Sequence, residues 1–182
     1  MSRLPLPGHG VEVLHTADLA PPMLDSLREL MEASFDDWGT DDTDHTFGGI
    51  HAMVWDSGVP VAHAALVQRS LLIGGRPWRA GYVEGLAVHP NRRRQGLGTA
   101  VMQAVEQVAT HAYPITALST SQDARGFYEA RGWVRWLGPT GVLTPSGFER
   151  TPDDDGGIYV LTSHPVDSSA TIACDWRAGD VW

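Results

Sequence analysis

The stretch Asn91–Gly98 reads NRRRQGLG and joins an apolar segment ending at Val88 to a segment with helical periodicity. Apolar residues recur there at steps of four, three and four: Val101, Val105, Val108 and Ala112. The first turn of a helix has backbone N–H groups without intrahelical partners, and Gly96 and Gly98 let a phosphate approach them closely. The stretch predicts a pyrophosphate site, although an ordinary turn before a helix explains the same glycines. It has neither a Gly-Lys-Ser/Thr ending nor a Gly-x-Gly-x-x-Gly spacing, so an ATPase loop or a dinucleotide fold is not supported.

The three arginines of this stretch stand out because the chain is acidic. Its 182 residues include 22 Asp and Glu against 13 Lys and Arg, a net charge of −9. This balance argues against a nucleic-acid partner and favours a cationic one. No apolar run reaches the roughly 20 residues of a membrane span, no secretion signal is evident, and Cys174 is the only cysteine. We therefore expect one soluble cytoplasmic domain over residues 1–182.

Upstream of the turn, the pattern predicts a strand, a helix and an antiparallel meander. Val11–Leu14 forms the strand and Met23–Phe35 the helix, and the acidic run Asp36–Asp44 is predicted to be a solvated loop. The meander consists of 51–55 and 59–68 around the turn at 56–58, followed after Gly74-Gly75 by a strand through 82–88. In that last strand Glu84 shares an apolar face with Tyr82, Leu86 and Val88.

Downstream of the turn, strands and helices alternate. Ile115–Leu118 is a predicted strand, Ser121–Arg131 a helix closed by Gly132, and Trp133–Trp136 another strand. Strands that alternate with helices are usually parallel neighbours. The predicted fold is α/β, with a mixed sheet that is antiparallel at first and parallel later, flanked by helices.

Two motifs together resemble the acetyl-CoA-binding core of the GNAT acetyltransferase superfamily. They are Arg93-x-x-Gly96-x-Gly98 after Leu86-Ala-Val-His-Pro90, and Ala124-x-x-Phe-Tyr128-x-x-x-Gly-Trp133. The resemblance covers 82–136 and implies a GNAT-type sheet with its parallel strands at the acetyl-CoA site. It implies that the pantetheine lies along Leu86, Ala87 and Val88, near a bulge at Gly85. It places the phosphates on the turn and first helical residues: Arg93, Arg94, Gln95, Gly96, Leu97, Gly98 and Thr99.

A narrower resemblance extends over nearly the whole chain. Four segments are similar to those of aminoglycoside 2′-N-acetyltransferases: 45–51 (HTFGGIH), 81–85 (GYVEG), 150–156 (RTPDDDG) and 174–182 (CDWRAGDVW). This family moves an acetyl group from acetyl-CoA to the 2′ amine of these antibiotics, which is a resistance reaction. The resemblance implies that Glu84 is the base, acting through water, and that Tyr128 is the acid. It also assigns substrate contacts to Asp37 and Asp42 in the acidic run, and it implies a homodimer. From the residues we expect further substrate contacts at Glu84, Gly85, Ser119, Asp154, Asp180 and Trp182.

The residues support a polycationic substrate on their own. Carboxylates lie in three clusters, at 36–44, at 153–155, and in the tail 175–182 with its terminal carboxylate. Several carboxylates around one cleft suit a polyamine, whereas any single acidic run is usually a solvated surface. The tail has two tryptophans, Trp176 and Trp182, so we expect it to pack on the domain rather than fray.

Other chemistries are less well supported. His45, His51 and His63 lack the spacing of a metal site, so we predict no metal. Cys174 has no histidine nearby in sequence and is expected to be a small buried side chain. Three alternatives stay open: acetylation of a cell-wall sugar, a polyamine or a protein lysine; a non-catalytic CoA sensor; and a protein that only sequesters the polycation. The strand 157–161 is a candidate dimer edge, but its pattern also fits an internal strand.

Overall fold

A computed structural model describes residues 10–182, and the chain divides into two compact units. Within the described residues, the first unit is 10–67 together with Val83–Val108, and the second is Gln68–Tyr82 together with Ala109–Trp182. The helices are α1 Pro21–Glu32, α2 Thr40–Thr46, α3 Leu97–Ala112 and α4 Arg125–Glu129. The strands are β1 Val11–His15, β2 Ile50–Asp56, β3 Val59–Ile73, β4 Arg76–Val88, β5 Ile115–Ser119, β6 Val134–Arg135, β7 Thr140–Thr144, β8 Gly147–Arg150, β9 Ile158–Thr162 and β10 Ile172–Asp175.

In the first unit, β2 and β3 pair antiparallel, as the sequence predicts, and β1 pairs antiparallel with β2, which the sequence did not predict. Helix α1 opens with two prolines, which suit the first helical turn because those N–H groups have no intrahelical acceptor. Its buried side chains Leu27, Leu30 and Met31 follow helical spacing. Leu27 packs on Met53 of β2, while Leu30 and Met31 pack on Ala87 of β4. This packing holds α1 against the strand that carries Glu84.

The acidic segment is not the loop that the sequence predicts. Its second half is helix α2, which begins after Gly39. Asp42 at the third helical position accepts the Gly39 N–H at 2.9 Å, and Thr43 Oγ1 accepts the Trp38 indole N–H at 3.0 Å. Asp41 and Asp42 also lie at the positive end of the helix dipole. A Gly-x-x-Asp start with acidic residues in the first turn was therefore the signal that periodicity alone missed.

In the second unit, the strands follow the order β6-β9-β5-β4-β3-β10-β7-β8. The predicted parallel pairing of β4 and β5 is confirmed, with Ala80 opposite Ile115. The expectation that β5 and β6 are parallel neighbours is wrong, because β9 inserts between them and pairs antiparallel with both. The alternation of strands and helices in the sequence could not predict that β9, a later strand, pairs between β5 and β6.

The insertion of β9 also decides whether the strand 157–161, the candidate dimer edge, is a free edge. Because β9 has a strand on each side, its backbone groups are already paired within the sheet, and it is not a free edge. The helix predicted over 121–131 is also shorter than expected, since a 3-10 turn at Gln122–Ala124 precedes α4. Gly132 ends this segment with φ +87°, the left-handed conformation that glycine favours after a helix.

Candidate active site

The turn quoted above has the predicted strand–turn–helix form. Gly96 has φ +79° and Arg94 φ +64°, so the chain reverses sharply before α3 begins at Leu97. Side chains 91–95 are exposed and Leu97 is buried. Arg92 forms an ion pair with Asp56 of the hairpin turn, and Arg93 Nε lies 3.4 Å from the Val88 carbonyl. The turn therefore presents exposed basic side chains beside the first-turn amides of a 16-residue helix.

Glu84, Gly85 and Leu86 are all half-buried on β4, between the buried residues Val83 and Ala87. Gly85 has φ +54°, which breaks the extended strand at the position where the sequence predicts a bulge. A methyl group at Gly85 would come within 3.1 Å of Thr46 Cγ2 at the end of α2 and 3.5 Å of the Trp38 ring. Only glycine combines this backbone conformation with so close an approach of α2. Glu84 thus directly precedes a strand residue that must be glycine.

The acidic candidates on the first unit differ in exposure. Asp37 is exposed, whereas Asp42 is half-buried and caps α2 through Gly39 N–H. That both carboxylates contact a substrate stays a prediction. Asp42 also has a structural role, because one of its carboxylate oxygens caps α2. A substrate ammonium group would bind the other oxygen or be attracted by the carboxylate charge.

Carboxylates of the second unit lie close together. Asp154 and Asp180 interact electrostatically, and burial, followed by repulsion from Asp180, Asp153 and Asp155, raises the pKa of Asp154, partly offset by a hydrogen bond from Thr151. In contrast, hydrogen bonds from Thr140 and pairing with Arg150 lower the pKa of Asp155, which makes that carboxylate structural. Ser119 is exposed at the end of β5, 3.9 Å from where a methyl group on Gly157 would lie. Asp154 and Asp180 therefore form a region of concentrated negative charge.

The C-terminal tail packs against the second unit, as the sequence predicts. Trp182 is buried, and its indole N–H donates to Thr151 Oγ1 at 3.0 Å. Arg69, which the sequence analysis did not single out, anchors the tail through three hydrogen bonds. Its guanidinium donates to Asp175 Oδ1 (2.8 Å), to the Asp175 carbonyl (2.7 Å) and to the Val181 carbonyl (2.6 Å). An arginine directly after the predicted apolar strand 59–68 was the available signal.

Tyr128 and Cys174 are both buried in the second unit. The Tyr128 ring makes edge contacts with Phe127 and Trp133 and lies 6.4 Å from the Tyr159 ring. This cluster gives Tyr128 a core role in addition to any chemical one. Burial raises the pKa of Cys174 to about 11, and its thiol lies 3.2 Å from the Val181 carbonyl. Cys174 is a packed thiol rather than a nucleophile, as expected from the sequence.

The two histidines considered as metal ligands have a different arrangement. His51 and His63 are fully buried in the first unit and hydrogen-bonded to each other at 2.8 Å. Within residues 10–182, no group of three His, Cys, Asp or Glu side chains is arranged to hold a metal ion. None of the helices described there has the length and apolar character of a membrane crossing.

Comparison with known proteins identifies the class. The model of the Acetyltransferase (GNAT) family matches residues 13–133, and the chain belongs to this family. It is 47% identical over 180 residues to an aminoglycoside 2′-N-acetyltransferase from Mycolicibacterium fortuitum, and the match covers 96% of this chain and 92% of that protein.

Solved structures at lower identity share the fold. A GNAT family acetyltransferase from Brucella melitensis in complex with acetyl-CoA has a TM-score of 0.60 at 15% identity, covering 93% of this chain and 97% of that one. A GCN5-related N-acetyltransferase from Kribbella flavida has a TM-score of 0.55 at 21% identity, covering 72% of this chain but only 34% of that one. The chain therefore spans about a third of the Kribbella protein, and these two likenesses concern the fold alone.

Proposed function

We propose that this acetyltransferase moves the acetyl group of acetyl-CoA to the 2′ amine of aminoglycoside antibiotics. The observation that carries the proposal is the 47% identity to a protein of that name over 96% of this chain. A match confined to the acetyl-CoA core would support only the family. This match includes nearly the whole chain, and so it supports the substrate class as well.

The reaction is a direct transfer. The amine nitrogen attacks the thioester carbonyl, a C–N bond forms, the C–S bond breaks, and CoA leaves as a thiol. Glu84 accepts the amine proton through water, and Tyr128 supplies a proton to the departing sulfur. The half-buried position of Glu84 supports its role, since partial desolvation raises the proton affinity of a carboxylate. A backbone N–H near Leu86 stabilises the developing oxyanion.

Acetyl-CoA is bound through the turn and the β4 strand. The pyrophosphate lies on Arg93–Thr99, where backbone amides and exposed arginines favour an anion. The pantetheine pairs with Leu86, Ala87 and Val88, beyond the left-handed Gly85. No other group is required, because acetyl transfer from a thioester to an amine needs neither a metal nor a redox cofactor.

The substrate is recognised by carboxylates. Asp37, Asp42, Asp154, Asp180 and the terminal carboxylate of Trp182 bind the ammonium groups, and Ser119 and the Gly85 backbone bind hydroxyls. The support is the crowding of Asp154 and Asp180, which a polycation would relieve, and the buried anchoring of the Trp182 ring. We further propose that the enzyme is a cytoplasmic homodimer that inactivates the drug. The buried single thiol is consistent with a reducing compartment.

The test is continuous measurement of free-thiol release from acetyl-CoA with purified protein. Aminoglycosides with a 2′ amine are compared with those with a 2′ hydroxyl, and spermidine, glucosamine and an acetyl-acceptor lysine peptide serve as competing amines. Turnover confined to the 2′-amino drugs is the expected result. Equal turnover of 2′-hydroxyl compounds would overturn the regiochemistry, and turnover of only the other amines would overturn the substrate class. Light scattering tests the dimer.

A further inference from the structure

A chain of hydrogen bonds, buried at His51 and His63, connects Thr16, which follows β1, to Gly85 of β4 inside the first unit. Thr16 Oγ1 lies 2.7 Å from His51 Nε2, His51 Nδ1 lies 2.8 Å from His63 Nε2, and His63 Nδ1 lies 2.8 Å from the Gly85 carbonyl. The side chains of His51 and His63 are both inaccessible to solvent. Phe47 stacks on both imidazoles, with centroid distances of 5.2 and 6.4 Å. An aromatic ring therefore packs on the two imidazoles, which are also buried.

The chemistry of the last acceptor determines the direction of every bond. A carbonyl oxygen can only accept, so His63 must donate through Nδ1–H to Gly85. Neutral His63 then accepts at Nε2, which makes His51 the donor through its own Nδ1–H. His51 Nε2 is left as an acceptor for the Thr16 hydroxyl, which lies 2.7 Å from it and 3.2 Å from the Gly49 carbonyl. The Thr16 oxygen in turn accepts the Gly49 N–H at 3.1 Å. Both rings are neutral Nδ1–H tautomers, and burial accordingly lowers the pKa of His51 to about 3 and of His63 to about 4.

This chain of hydrogen bonds cannot carry a proton to or from the Glu84 carboxylate. It ends on a backbone carbonyl, which does not ionise, rather than on a side chain that takes part in proton transfer. What it can do is fix the orientation of the backbone at Glu84 and Gly85, because Gly85 is the left-handed residue that follows Glu84. Thr46 and Trp38 lie close to Gly85 on the α2 side, and the His63 imidazole donates to its carbonyl.

We propose that His51 and His63 are positioning residues, which hold the Gly85 carbonyl and thereby set the direction of the Glu84 side chain and of the pantetheine-binding residues after it. The inference rests on the proposed function, since Glu84 matters only if it is the base. A flexible Gly85 would let Glu84 sample directions that do not reach the substrate, and this loss lowers turnover more than binding.

Two isosteric substitutions at position 63 separate this role from a packing role. His63→Asn places an amide N–H near the position of Nδ1 and can still donate to the Gly85 carbonyl. His63→Gln places its amide near Nε2 and loses that bond. We expect His63→Gln to lower kcat about 10- to 100-fold, with the acetyl-CoA KM within about twofold of wild type, and His63→Asn to recover most of the loss. His164→Gln, at an exposed histidine of the second unit, is the control and should be unchanged.

Equal kcat for the Asn and Gln variants would overturn the proposal, because it would show that the bond to Gly85 does not matter. Nitrogen-15 spectra of the wild type provide a test that needs neither turnover nor a variant that folds. Both buried histidines should be neutral Nδ1–H tautomers from pH 5 to 8, and an Nε2–H tautomer at His63 would also overturn the proposal. If no amine is acetylated, the proposed function fails separately. The carbon-13 titration of the Glu84 carboxyl then decides the positioning role: its midpoint should move in His63→Gln and stay in His63→Asn.

Discussion

Glu84 occupies a half-buried position on a strand, and the proposed mechanism gives it one task, the removal of the amine proton. We expect Glu84→Gln to lower kcat by about 10²- to 10⁴-fold, the usual contribution of a general base, because the amide cannot accept that proton. The dissociation constant for acetyl-CoA should change little. Stopped-flow turnover and calorimetric binding measure the two quantities, and Glu32→Gln, at an exposed glutamate on α1, is the matched control. Unchanged turnover would remove Glu84 from the mechanism.

Tyr128 has two possible roles, since its ring lies in a buried aromatic cluster. Tyr128→Phe keeps the ring and removes only the hydroxyl, so it separates a packing role from a proton-donating role. If the hydroxyl protonates the leaving thiolate, kcat falls by at least about tenfold while the melting temperature stays near that of wild type. Tyr113→Phe, at a half-buried tyrosine, serves as the control. Wild-type turnover with acetyl-CoA in Tyr128→Phe would mean that the residue is a core aromatic only.

Helix α2 combines a capping carboxylate with a proposed substrate contact at the same residue. Asp42→Asn keeps an oxygen that can accept the Gly39 N–H and removes the charge, whereas Asp42→Ala removes both. We expect the alanine variant to lose about 1 kcal/mol of unfolding free energy and the asparagine variant to lose less. If Asp42 also binds an ammonium group, both variants raise the aminoglycoside KM. Urea unfolding and steady-state kinetics measured on the same samples distinguish these effects, and a KM unchanged in both variants would restrict Asp42 to the cap.

The C-terminal tail depends on one buried arginine. Arg69→Met removes three hydrogen bonds to Asp175 and Val181 while retaining much of the side-chain volume. We expect a loss of about 1–3 kcal/mol in unfolding free energy and faster proteolysis after residue 175. If the terminal carboxylate binds the drug, the aminoglycoside KM should rise several-fold with a smaller change in kcat. Arg28→Met, at an arginine whose ion pair with Asp25 is exposed, is the control. A tail as protease-resistant as that of the wild type would contradict the role of Arg69.

The free energy of unfolding belongs to the whole molecule, and the buried His51 and His63 predict how it changes with pH. Their folded pKa values are about 3 and about 4, both lowered mainly by burial, with further repulsion at His51 from His63 and His15. An unfolded imidazole titrates near pH ~6.5, so between ~6.5 and ~4 the unfolded chain binds protons that the folded protein does not. The free energy of unfolding is therefore highest above this window. It falls with decreasing pH by up to about 1.4 kcal/mol per pH unit for each imidazole.

The check is urea unfolding at pH values from 7.5 to 4.5, followed by tryptophan fluorescence. A His51→Gln/His63→Gln variant should show a shallower dependence on pH over this range, whatever its stability at neutral pH. His164→Gln, at an exposed histidine, should keep the wild-type slope. A double variant with that same slope would mean that carboxylates alone cause the acid sensitivity.

Local sequence patterns determined much of this protein: the glycine turn before α3, the β2–β3 hairpin and the carboxylates that suit a polycation. These features follow from residue spacing and backbone preference, which act over a few neighbouring positions. Only the tertiary structure decided that β9 inserts between β5 and β6, that Arg69 anchors the tail, and that His51 and His63 join into one chain ending on Gly85. Each of these contacts joins residues far apart in the chain, and burial and hydrogen-bond satisfaction select such partners only when the whole chain has folded.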